Sequence, residues 1–198
     1  LATTLVDISN SALIKVGAGR ITSFDDDTKE AALCKEQLPK LRDAVLADHP
    51  WNFAVRRAEL ANLVETPAYE FDFFSQLPLD YLRVFEVSDG GTNTLTFSAQ
   101  ATNFPYMVEG KKLLHNLNPV FIRYIFRETV VANWNPMFAE ALALRLAADI
   151  AYSLVQSRAL QKDMLDAYLK FIATARSLDA QEGSVRHVGA GTWIGARN

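Results

Sequence analysis

Three histidines, one cysteine and a run of three aspartates are the residues of this chain whose types could do chemistry. His49, His115 and His187 could act as general bases or metal ligands, but no carboxylate or cysteine stands beside any of them at ligand spacing, and no His-Glu-x-x-His pair occurs. His49, directly before Pro50, is expected to end a helix and to meet its free carbonyls. Cys34 is alone, so it can form neither an internal disulfide nor a zinc cluster, and it is expected inside a helix as a small buried apolar residue. The run Asp25 to Asp27 lacks the alternate ligands, the glycine and the closing glutamate of a calcium loop. Gly189, Gly191 and Gly195 have the wrong spacing for a dinucleotide fingerprint, and no Gly-Lys-Ser/Thr or Gly-x-Ser-x-Gly element occurs. The expectation is therefore no catalytic, cofactor-binding or metal-binding residue, and no essential histidine.

Binding chemistry is scarcely richer. Tyr69, Phe71, Phe73 and Phe74 could stack on bases, but Glu70 and Asp72 between them would repel a phosphate backbone. A hydrophobic core or a subunit contact is the better expectation for these rings. Arg56-Arg57 reads as a solvated pair or a donor of interface ion pairs. The formal net charge of -3 points the same way, since a grip on nucleic acid needs a basic face.

The elements that must position such residues can be read from periodicity. With 198 residues, 49% of them hydrophobic and 22% charged, the chain can build a core. The longest apolar stretch, Met137 to Val155, is interrupted by Glu140, Arg145 and Asp149, which argues against a membrane span. The first ten residues carry Asp7 and no basic cluster, so a soluble protein made inside the cell is expected. Leu5, Ile8, Ala12, Leu13 and Val16 predict a first helix, capped by Thr3 or Thr4 and stopped by Gly17 and Gly19. Asp27 with Glu30 predicts the capping box of a second helix running to about His49, with Leu33, Leu38, Leu41, Ala44 and Val45 inward and a kink at Pro39.

Residues 53–60 are ambiguous between strand and helix. Residues 71–74, 82–87 and 121–126 carry strand signals, separated by turn residues at 77–80, 89–91, 109–111 and 118–119. Asn135-Pro136 opens a third helix, apolar around most of its circumference, which runs to about Gln156 and should lie centrally. A fourth helix should bury a stripe of Leu160, Met164, Tyr168, Phe171, Ala175 and Leu178, and fade after Gln181. The predicted fold is α+β, mainly α: a helical bundle formed by 1–50 and 128–182, a small antiparallel β unit inserted at 51–127, and an extended carboxy-terminal arm at 183–198.

Several ordered segments carry a family resemblance. The run from Cys34-Lys35-Glu36-Gln37-Leu38-Pro39-Lys40-Leu41-Arg42-Asp43 to His49-Pro50-Trp51-Asn52-Phe53-Ala54 resembles the opening of podophage-type tail tubular protein A, the head-to-tail adaptor family of tailed bacteriophages. Leu77-Pro78-Leu79-Asp80-Tyr81-Leu82-Arg83-Val84 is similar as well, and Tyr106-Met107-Val108-Glu109-Gly110-Lys111-Lys112-Leu113-Leu114 looks like the family's hairpin. Arg123-Tyr124-Ile125, Pro136-Met137-Phe138 and Ala147-Ala148-Asp149-Ile150-Ala151 follow in the family's order, so the resemblance covers residues 3–183.

The resemblance implies a virion structural protein and not an enzyme. It implies a ring of about twelve copies between the portal protein and the tail nozzle or tube protein, with genomic DNA passing through its lumen. Such a protein is made in the host bacterial cytoplasm and has no membrane partner. The helical part would build the ring and the carboxy-terminal arm would dock on the portal or on a neighbouring subunit. Within that arm Trp193 and Ile194 suit an apolar anchor, while Arg186 and Arg197 could pair with a partner's carboxylates. Two competing classes are a small soluble enzyme whose site is assembled from distant residues, and a cellular self-associating scaffold.

Overall fold

A computed structural model describes residues 4–90 and 104–182. The fold is α+β and mainly α, with four helices and two small antiparallel sheets among these residues. The chain divides into two compact units, a helical one formed by 4–54 and 127–182 and a β unit within Val55–Phe126. The expected arm lies outside the described residues, and with it Arg186, His187, Trp193, Ile194 and Arg197.

In the helical unit, α1 spans Leu5–Val16. Thr4 caps it: its hydroxyl accepts from the Asp7 amide at 3.1 Å, while the Asp7 carboxylate accepts from the Thr4 amide at 2.9 Å. The helix stops at Gly17, whose φ of +74° is the left-handed conformation expected of a C-terminal glycine. The loop that follows is tied back by Asn10, whose side-chain amide exchanges two 2.9 Å bonds with the backbone of Ile21.

The second helix, α2, spans Lys29–Asp48. Its cap is Thr28, which accepts from the Ala31 amide, and not Asp27 as the sequence suggested. The aspartate that ties this loop to its own backbone is Asp26. It accepts from the Thr22 and Ser23 amides at 2.7 and 3.1 Å, and these bonds hold its carboxyl below the usual carboxylate range. The buried face of α2 is Ala31, Cys34, Leu38, Leu41, Val45 and Leu46, so the expected stripe is rotated: Leu33 is half-buried and Ala44 exposed. Burial pushes the Cys34 thiol up to about 11. The helix continues through Pro39, which cannot donate to the Lys35 carbonyl.

The third helix, α3, spans Pro136–Val155 behind an Asn135 cap, with proline at its start as expected. It packs against all the other helices, and ten of its residues are buried. That is the central position its all-round apolar surface calls for. A left-handed Gln156 ends it, and Ser157 caps α4, Arg158–Gln181. The buried line of α4 is Tyr168, Ile172, Ala175 and Asp179. Leu178, expected inside, is exposed, while Leu160, Met164 and Phe171 are half-buried. The face that meets α3 is rotated by a fraction of a turn from the apolar stripe read off the sequence.

In the β unit, β1 (Val55–Leu60), β3 (Tyr81–Ser88) and β6 (Val120–Phe126) form an antiparallel sheet with β6 in the middle. The second sheet has the order β2 (Phe73–Gln76), β5 (Lys112–His115), β4 (Met107–Glu109). A two-residue turn joins β4 to β5, with Gly110 at φ +60° in the position where such hairpins need glycine. Leu60, Leu77, Val84, Leu113, Ile122 and Phe126 belong to its core. Alternation along β1 separates Arg56 from Arg57. Both are exposed, but Arg56 pairs with Asp80 at 2.8 Å and lies 3.5 Å from the Phe126 ring centroid. The four rings named above stay out of this core: Tyr69 is exposed, Phe71, Phe73 and Phe74 half-buried, Phe73 lies near His115 and Phe74 beneath Lys112.

Candidate functional site: buried polar clusters and exposed surfaces

The structure brings together polar residues that sequence spacing keeps apart. In the helical unit, Asp179 on α4 is buried and accepts 3.2 Å bonds from the Asn52 amide. His49 Nε2 lies 3.1 Å from the same carboxylate, and the Asn52 side-chain amide donates to the Asp179 carbonyl. Because a carboxylate only accepts, Nε2 must carry the proton. His49 thus meets a distant carboxylate and not the helix carbonyls expected for it. One of those carbonyls, that of Val45, is served by Trp51, whose indole N–H donates to it at 3.0 Å. Arg176 pairs with Asp48 one turn before Asp179. The end of α4 is therefore fastened to the end of α2 by charge-assisted bonds.

Below this latch lies an aromatic cluster. Phe138 meets Trp51, Phe53 and Trp134 edge-on at centroid distances of 5.3, 5.1 and 5.1 Å. The segment His49-Pro50-Trp51-Asn52-Phe53 thus supplies both the groups that bind Asp179 and two rings of the cluster, Trp51 and Phe53.

In the β unit, Asn62, Ser75 and His115 form a buried chain of side chains. Ser75 and His115 are wholly inaccessible to solvent. The Leu117 amide donates to His115 Nδ1 at 3.3 Å, so the ring proton sits on Nε2. Nε2 then donates to Ser75 Oγ at 2.9 Å, and Ser75 donates to Asn62 Oδ1 at 3.1 Å. In this direction His115 gives a proton to the serine hydroxyl and does not remove one, so the trio is a buried network holding β2 to β5 and not a nucleophile with its base.

Burial pushes His115 below the ordinary histidine value. The unfolded chain then binds a proton more readily than the folded one. The contribution of His115 is complete above about pH 6.5 and is lost as the pH falls below it. The urea midpoint should drop between pH 7.5 and pH 5, and His115→Gln should flatten that slope. Equal slopes for the variant and the parent would show that His115 does not govern it.

Among the described residues no group of three or more His, Cys, Asp or Glu could hold a metal ion, and no helix is long and apolar enough to cross a membrane. The surface includes two features of contrasting chemistry. A groove of about 310 Å³ between α3 and α4 is lined by Arg145, Ala148, Asp149, Arg158, Gln161, Lys162 and Leu165. In the β unit, the loop before β2 exposes Val64 completely and Tyr69 to 80%. Neither feature stands out in the sequence. The groove forms only when two helices meet, and the loop's exposure depends on which aromatic residues the core takes in.

No protein-family model matches this chain, and no curated protein is significantly similar to it.

Proposed function

We propose that this chain is a virion structural protein of a tailed bacteriophage, the head-to-tail adaptor that forms a ring between the portal and the tail nozzle or tube. In this role it stabilises the packaged head, and genomic DNA passes through its lumen without sequence-specific contacts. The order of the family-like segments along residues 3–183 carries the reading. Those segments fall on the parts of the fold that fix its shape. His49 to Phe53 contributes to the latch and the aromatic cluster, 77–84 enters β3, 106–114 makes the β4–β5 hairpin, and 136–138 opens the central helix. The ring is homo-oligomeric, of about twelve copies, and its contacts are heterologous, since such contacts close when the subunit rotation permits. The arm carrying Arg186, Trp193, Ile194 and Arg197 is the docking element toward the portal or a neighbouring subunit.

Electron microscopy of parent particles carrying an affinity label on this chain tests the reading. The label is expected as a closed ring on the tail axis between head and tail. Label found off that axis, or as isolated copies, would overturn it.

A further inference from the structure

We infer that the α3–α4 groove is the acceptor for the loop of residues 61–72 of a second copy of this chain. The inference rests on the ring reading above and names the contact that would build it.

The groove has an apolar floor, from Ala148 and Leu165, and a cationic rim. Three cations, Arg145, Arg158 and Lys162, stand on it against one carboxylate, Asp149. None of the three cations forms an ion pair among the described residues. The guanidinium groups of Arg145 and Arg158 rest 5.7 and 5.6 Å from the Tyr168 and Tyr152 ring centroids. An arginine held by an aromatic ring keeps its donors available to a carboxylate, at a smaller entropic cost on binding than a free side chain. The groove therefore suits an acidic partner with an apolar or aromatic tip.

The loop of 61–72 has that composition. Glu65 is engaged by Lys112, but Glu70 and Asp72 have no ion-pair partner among the described residues. Tyr69 and Val64 stand in solvent beside them. Tyrosine and arginine are both among the residues that interfaces favour over the rest of the surface. The tip is also held in place: the Phe71 amide donates to the Tyr69 carbonyl at 2.9 Å, which sets Glu70 at φ +75°, and the Asp72 amide donates to Asn116 Oδ1 at 2.8 Å. A loop fixed before contact loses less freedom on docking. Because loop and groove are different surfaces, each copy offers one of each, and the contact is head-to-tail.

Charge swapping tests the contact. Glu70→Lys with Asp72→Lys sets a basic loop against the basic groove, and Arg158→Glu with Lys162→Glu sets the acidic loop against an acidic groove. By sedimentation velocity each double variant should associate more weakly than the parent, on the order of a hundredfold, with unchanged circular dichroism and melting. An equimolar mixture of the two should regain assembly, because each variant's loop then meets a groove of opposite charge. Carbodiimide treatment of the assembled parent should couple Lys162 to Glu70 or Asp72. Variants that assemble like the parent, a mixture that stays dissociated, or a parent that stays monomeric up to about 1 mM would each overturn the contact. The ring reading is judged separately, by where the label lies on the particle.

Discussion

Trp51→Ala is expected to lower the stability of the protein by about 4 kcal/mol. The side chain is completely buried and among the largest that are. It meets Phe138 and His49 edge-on, at centroid distances of 5.3 and 4.9 Å. Truncation removes those contacts and leaves a cavity against α3, whose tightly packed residues can collapse only in part. It also strips the Val45 carbonyl of the indole N–H that satisfies it near the end of α2. Trp51→Phe separates the two effects, because it keeps most of the ring volume and loses the donor; about 2 kcal/mol is expected for it. Urea unfolding at pH 7.5 reads both. A loss under about 1 kcal/mol for the alanine variant would mean that the cluster is far looser than its geometry implies.

Asp179→Ala should cost about 3 kcal/mol. The carboxylate is buried, and two groups, the Asn52 amide and His49, would lose their acceptor. Asp179→Asn keeps one carbonyl oxygen for the Asn52 amide, and its amide group can donate to His49 if the ring carries its proton on Nδ1. It should cost roughly half as much. Amide exchange at Asn52 gives a local reading, since that N–H should exchange faster in the alanine variant by more than the global loss explains. A variant as stable as the parent, with Asn52 still protected, would remove Asp179 from its role as the latch.

The local elements were legible because they are fixed by residues close together in sequence. The α1 cap at Thr3 or Thr4, Gly17, Asn135-Pro136 and Gly110 are read within a few residues, and the structure settles the first on Thr4. The composition of α3, apolar all round, required a central position whatever surrounded it. Where two adjacent residues could do the same work, the sequence pointed to the wrong one: Thr28, and not Asp27, caps α2.

Tertiary structure decided what depends on partners distant in the chain. Asp179 is an ordinary exposed helix residue by composition, and only the approach of His49 and Asn52 makes burying its charge tolerable. That approach also rotates the buried face of α4 away from Leu178. Ser75, His115 and Asn62 meet because β2 pairs with β5 in one register, and a slip of a single residue would turn His115 outward. The same pairing leaves Tyr69 in water, and the packing of α4 on α3 gathers Arg145, Arg158 and Lys162 around one groove. Hydrophobic pattern and capping chemistry act over a few residues and set the elements. Which polar groups become buried, and which apolar ones stay exposed, is set by how those elements meet.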